Sequence, residues 1–294
     1  MIPDSLRMPG RDDWLARLPR LRDDLLAEWG LRVDGAAMAG ACALVVPVRT
    51  ADGTPAALKI SWPHWEADTE HLALRDWNGD GAVRLLRADP RRYALLLERA
   101  DPARTLTEVP LDRALAVITG LYPRLHRPAP PNVRRLSEVT AGWATRLDGI
   151  RNSGAAPRRL IEHAASLARD FASDPATDGA LIHSDLHYAN VLGSLREDEP
   201  WLAIDPKPLS GDSTYEVAPL LWNRFDEYPA DRIRDGILDR IWTVVDAMEW
   251  DEDRVRDWVI VRELCNVLWA VEDDWVPGGD WLTGAITIAK AAQR

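Results

Sequence analysis

Residues 181–205 constrain this chain more than any other stretch. Leu181-Ile-His183-Ser-Asp185-Leu186-His187-Tyr-Ala-Asn190-Val-Leu192 runs from apolar residues through a polar loop into a short apolar strand, and Trp201-Leu-Ala-Ile-Asp205 is a second strand ending in an acid. Two short strands bracketing a polar turn form a hairpin, which brings Asp205 back beside Asn190. One tight loop carries both Asp185 and Asn190. The pattern H-x-D-L-x-x-x-N, followed by an acid-tipped strand, suits phosphoryl transfer. Asp185 would orient or accept the proton of an attacking hydroxyl. The Asn190 amide oxygen and the Asp205 carboxylate would hold Mg2+, a hard cation that takes few protein ligands and keeps several waters. The bland alternative is a polar loop between two core strands.

Bulk properties exclude several other functions. A chain of 294 residues that is 46% hydrophobic has ample material for a core. Its net charge of −11 argues against nucleic acid as a partner, which requires clustered Lys and Arg, and is compatible with a cationic substrate. No apolar run approaches the ~18–20 residues of a membrane span. The first ten residues carry no basic-then-apolar signal, so a cytoplasmic location is expected. Cys42 and Cys265 are too few for a disulfide framework or a zinc site. Lysine occurs only at 59, 207 and 290, so a lysine inside a motif stands out from the arginine-rich background.

The organisation changes near residues 98–105. Before that point the spacing predicts a helix over 11–29, a hairpin from 42–49 and 56–61 around Asp52-Gly53, a helix over 66–78, and strands over 82–86 and 93–98. Beyond it, helices are predicted over 110–126, 136–150, 157–172, 213–225, 231–248, 252–274 and 280–292, with an extended connector at Arg127-Pro-Ala-Pro-Pro131. The expected class is α+β and two-lobed. Residues 1–100 give an N-terminal helix and a small, mainly antiparallel-β lobe, and residues 101–294 give a larger helical lobe. Lys59, in Ala57-Leu58-Lys59-Ile60, lies on a strand and would contact the α- and β-phosphates of ATP. Glu66 and Glu70 are its candidate partners, and Glu70 is preferred because it lies deeper in the helix. The strand Tyr93–Ala100 would present backbone at Glu98 and Ala100 to adenine.

With these pieces in order, the sequence resembles the aminoglycoside phosphotransferase family of the protein-kinase-like fold, within the branch of streptomycin kinases and hydroxyurea phosphotransferases. The resemblance rests on Ala56-Ala-Leu-Lys59-Ile, Leu72-Ala-Leu-Arg-Asp-Trp77, Gly79-Asp-Gly-Ala-Val-Arg-Leu-Leu86 and Leu95-Leu-Leu-Glu-Arg99. It continues through Leu125-His126-Arg-Pro-Ala-Pro-Pro131, His183-Ser-Asp-Leu-His-Tyr-Ala-Asn190, Trp201-Leu-Ala-Ile-Asp-Pro-Lys-Pro208, Gly211-Asp212 and Asn266-Val-Leu-Trp269. It implies ATP and Mg2+ dependence and a small-molecule hydroxyl acceptor. The chain departs from protein kinases at Gly35-Ala-Ala-Met-Ala-Gly40, which has two glycines where their phosphate loop has three, and at Asp205-Pro206-Lys207, which replaces D-F-G. It also lacks an A-P-E segment, which argues against a protein substrate.

Several residues keep two readings. His183 braces the loop or acts as a base, and bracing is favoured because Asp185 fills the base role. His187 orients Asp185, touches phosphate, or is structural. Lys207 forms a structural ion pair or neutralises phosphate, and Asp212 is an N-cap by default. Glu263, Asn266 and Asp273 fall on one face of a predicted helix that could receive guanidinium or ammonium groups, against the alternative of a solvated face. Because the resembled family binds its acceptor with C-lobe helices, these three are assigned to acceptor binding together with Asp185. The expected acceptor is an aminoglycoside such as streptomycin. Hydroxyurea, an amino sugar and a non-catalytic pseudokinase are the alternatives. Oligomeric state is not legible, and a monomer is the default.

Overall fold

A computed structural model describes residues 6–272 and 280–294. In chain order the elements are α1 (Asp12–Glu28), β1 (Arg32–Val33), β2 (Met38–Ala39), β3 (Ala43–Arg49), β4 (Pro55–Ser61), α2 (Glu70–Trp77), β5 (Leu85–Asp89), β6 (Ala94–Glu98) and β7 (Asp101–Thr105). They continue with α3 (Leu111–Leu125), β8 (Arg127–Pro128), α4 (Leu136–Ile150), α5 (Arg158–Ser173), β9 (Ala180–Ile182), β10 (Val191–Gly193), β11 (Trp201–Ala203) and β12 (Leu209–Gly211). Helices α6 (Ala218–Trp222), α7 (Ile233–Met248), α8 (Glu252–Glu272) and α9 (Asp280–Ala292) follow.

The chain divides into two compact units, the first comprising residues 1–104 with 192–207, the second 105–191 with 208–294. In the first, β1, β3, β4, β6 and β5 lie side by side in that order, with β2 also on β3, and β7, β10 and β11 make a small second sheet. Strand alternation organises this unit. Leu44, Val46 and Val48 of β3 and Ala56, Leu58 and Ile60 of β4 face one way, into a core with Trp14, Leu18 and Leu25 of α1. The alternation turns Lys59 to the opposite face, between Val45 and Leu95 of the neighbouring strands. Helix α2 starts at Glu70, later than the predicted 66, and its end is marked by the left-handed Asn78.

The second unit is built around α8, which is buried along most of its length, charged residues such as Arg262 and Glu263 included, as a central helix is. Helices α4, α5, α7 and α9 pack on it. The predicted helix over 213–225 is broken into a 3-10 turn (Ser213–Val217), α6, and a second 3-10 turn (Phe225–Glu227). The cause is local. The Asp212 carboxylate accepts from the Thr214 amide and hydroxyl at 2.9 and 2.7 Å, tightening the first turn. Arg224 then adopts a left-handed backbone that ends the run. The connector is extended at Arg127–Pro128, where β8 pairs to β9, and turns at Pro131. Among the described residues no helix is long and apolar enough to cross a membrane.

Candidate active site

In the first unit the lysine of β4 meets two acids. Lys59 Nζ donates to Glu70 Oε1 at 2.6 Å and also to Asp205 Oδ1. Lys59 and Glu70 are buried, whereas the Asp205 side chain is half exposed. Burial alone would lower the lysine pKa, but the Asp205 and Glu70 carboxylates outweigh it and hold the amine firmly protonated. Burial pushes the Glu70 carboxyl up, against the pull of Lys59, and Lys207 adds a further downward pull. Glu66 lies outside α2 and sits 3.8 Å from His64. Asp205 has φ +56°, a left-handed backbone that Asp tolerates better than most residues.

Glu98, at the end of β6, has its amide and its carboxylate occupied. Its amide donates to Arg84 O at 2.9 Å, and its carboxylate is gripped by Arg196 at 2.7 and 2.5 Å. Both groups are therefore committed inside the protein. Ala100 makes no hydrogen bond to another described residue.

In the second unit the polar loop after β9 is held from within and from behind. Asp185 and Asn190 are both buried. Asn190 Nδ2 donates to Asp185 O at 2.9 Å and lies 3.3 Å from His187 Nε2. His187 Nε2 is 3.9 Å from Asp185 Oδ1. His183 braces the loop by accepting the Asp185 amide on Nδ1 at 3.3 Å.

Sequence reasoning missed Glu216. This fully buried residue accepts the amides of both His183 and Ser184 on Oε1, the latter at 2.9 Å. Ser184 has φ +60°, unusual for a residue with a Cβ, so the loop enters Asp185 through a turn that needs outside support. His126 Nε2 lies 3.8 Å from the same oxygen, and the His126 ring stacks on Tyr122 and Trp250. The available signal was one acid, Glu216, inside the apolar run Tyr215–Trp222. A carboxylate in such a run is tolerated only with partners.

Glu263 and Asn266 do share a face of α8 and are bonded to each other at 3.1 Å. The solvated-face alternative fails, because both are buried. Arg262 donates to Asn266 Oδ1 at 2.6 Å and lies over the rings of Trp222 and Trp269 at 4.9 and 4.6 Å. Burial raises Glu263 to about 8, with Asn266 and Arg262 pulling the other way. Its Oε1 has no hydrogen-bond partner among the described residues. Asp273 lies outside the described residues. Asp212 caps the turn at 213–217 and receives Trp258 Nε1 at 2.9 Å and Arg254 Nε.

An ammonium held by two carboxylates on an antiparallel sheet, and a helical unit carrying an Asp–Asn loop, together define an α+β fold of the protein-kinase-like class. A choline kinase from Streptococcus pneumoniae shares it, with a TM-score of 0.58 at 12% identity over 94% of this chain and 99% of that one. Residues 28–274 match the family described as aminoglycoside/hydroxyurea antibiotic resistance kinase, and the chain belongs to it. A streptomycin 6-kinase from Streptomyces glaucescens is 40% identical over 88% of this chain and 85% of its own length. A hydroxyurea phosphotransferase from Kitasatospora aureofaciens is 42% identical over 89% of this chain and 75% of its own. The protein is a small-molecule kinase.

Proposed function

We propose that the protein transfers the γ-phosphoryl group of ATP to a hydroxyl of an aminoglycoside, with streptomycin as the leading acceptor, and that it works as a cytoplasmic monomer. Asp185 orients the acceptor hydroxyl and takes its proton as the oxygen attacks the γ-phosphorus. The bond to the β–γ bridging oxygen breaks, and ADP leaves. Transfer is direct, so the protein supplies position and charge rather than a covalent intermediate.

The observation that carries this mechanism is the grip of Lys59 on Glu70 and Asp205. An ammonium has three N–H donors, and two are used here, which leaves the third for the α- and β-phosphates. Glu98 and Ala100 would offer backbone to adenine. Asn190 and Asp205 would hold Mg2+. The fit rests on Asn190, whose Nδ2 is tied to the Asp185 carbonyl while Oδ1 accepts from no described residue. When bound, the cation neutralises phosphate charge.

The acceptor assignment draws on the streptomycin 6-kinase relative and on Glu263. A buried carboxyl with one oxygen lacking a partner is a group that a guanidinium could complete as a salt bridge, beside Asn266. Asp273 is kept as a third acceptor residue on its helical spacing. The hydroxyurea phosphotransferase relative favours a second reading, in which the acceptor is small and uncharged. ATP consumption and product mass measured across streptomycin, other aminoglycosides, hydroxyurea and amino sugars decide between them. Phosphorylated streptomycin is expected, and turnover of hydroxyurea with none of any cationic sugar would overturn the assignment.

A further inference from the structure

We infer that Arg196 is a positioning residue for phosphoryl transfer: by clasping Glu98 it fixes the hairpin that ends in Asp205, and so sets Asp205 against Lys59. The inference rests on the reading of Asp205 as the carboxylate that takes the metal.

Arg196 sits in the turn between β10 and β11, a stretch that sequence alone reads as a polar turn. Its neighbour Leu195 is 57% exposed, yet the Arg196 side chain is only 13% exposed. The guanidinium uses both edges. Nε and Nη2 donate to the two Glu98 oxygens at 2.7 and 2.5 Å. Nη1 donates to Gly79 O at 2.6 Å, and Nη2 also reaches Ala82 O at 3.3 Å. Only a planar fork can satisfy a carboxylate and two carbonyls together, and a lysine in its place would keep the charge but lose the geometry.

The surroundings are shaped for this contact. Gly79 has φ +87°, and a Cβ there would stand 3.0 Å from Arg196 Nη2 and 2.5 Å from Arg84 Cγ. Glu98 is held in turn by the Arg84 amide at 2.9 Å.

The same hairpin is docked further along. Ala203 donates to Gly81 O at 2.9 Å and accepts from Val83 N at 3.0 Å, while Arg104 lies 5.3 Å over the Trp201 ring. Two residues beyond Ala203, Asp205 reaches Lys59. Arg196 thus holds one end of a short lever and Asp205 is the other. Glu98, the last residue of β6, ties that lever to the sheet that carries Lys59.

The test measures the Mg2+ concentration giving half-maximal rate, with KM for ATP and for streptomycin, in Arg196→Lys and Glu98→Gln beside the parent enzyme. Loss of an outer positioning contact typically weakens metal binding by about ten- to a hundredfold, and the low end of that range is expected here. The acceptor KM should stay within about twofold, and the double variant should be no worse than the weaker single one, because both break one contact. A lower melting temperature with unchanged Mg2+ dependence in both variants would mean that Arg196 is merely structural and would overturn the inference. Asp205→Asn separates this from the underlying reading. If that variant keeps the parent rate and Mg2+ dependence, Asp205 is not the metal carboxylate. If it loses them while the Arg196 and Glu98 variants do not, only the role of Arg196 falls.

Discussion

The two units hold their candidate site residues by opposite means. In the first unit the candidate groups are one another's partners, and Lys59, Glu70 and Asp205 form a charge cluster. In the second unit Asp185 and Asn190 sit on one buried loop. Their loop is shaped through backbone groups, by Asn190 on the Asp185 carbonyl and by Glu216 on the amides of His183 and Ser184. A mutual cluster should degrade by degrees as members are removed. A loop braced by one buried carboxylate should fail as a unit.

The harshest challenge to that contrast is Asp185→Asn, which keeps the loop's shape and removes only the proton acceptor. The turnover number should fall about a thousandfold with melting temperature nearly unchanged, within the range for loss of a general base. Parent-like turnover in this variant would break the assignment of the loop.

Next is Glu216→Ala, which strands two buried amides in a strained turn. Stability should drop by roughly 2–4 kcal/mol in denaturant titration. Glu216→Gln, which keeps an accepting oxygen, should recover much of it. Equal losses in the two would show that charge, not amide capture, is what Glu216 supplies.

A smaller effect is expected for Glu70→Gln, because Asp205 still holds Lys59. The rate should fall roughly tenfold through a looser lysine. A collapse as deep as that of Asp185→Asn would erase the distinction between the two units.

The remaining prediction concerns the pH dependence of stability and lies at Glu263. Unfolded, its carboxyl ionises near 4.5, and in the folded chain near 8. Between those values the folded protein holds the extra proton, so stability falls as pH rises through this window. Glu263→Gln should remove that slope, gaining roughly 4 kcal/mol over the parent at pH 8 and well under about 1 kcal/mol at pH 4.5. Parallel curves in urea titrations across that range would refute it.

Much of the first unit can be read from residue order, because alternation places Lys59 without knowledge of any distant contact. The same holds for the polar loop after β9, whose candidate residues Asp185 and Asn190 lie five positions apart. The remainder depends on partners far apart in the chain. Arg196 and Glu98 are 98 residues apart, and Ser184 and Glu216 are 32 apart, so neither pair leaves a local pattern. The short strands β1, β2, β8 and β12 were equally hidden, since two or three residues carry no periodicity. β7, with Pro102 and Arg104 in five residues, reads as a loop and is extended because β10 pairs beside it. At Glu263 and Asn266 the helical spacing was legible but burial was not, because it comes from the helices packed around α8.

The membership of residues 192–207 in the first unit has a bearing on biosynthesis. Lys59 leaves the ribosome 146 residues before Asp205, a wait of roughly 7–30 s at ordinary translation rates. Throughout that interval the sheet lacks its final acid and Glu98 lacks its arginine. The first unit therefore cannot mature until residue 207 has been made, after residues 105–191 of the second, and a truncated product ending at residue 104 would expose an unfinished edge to chaperones and proteases.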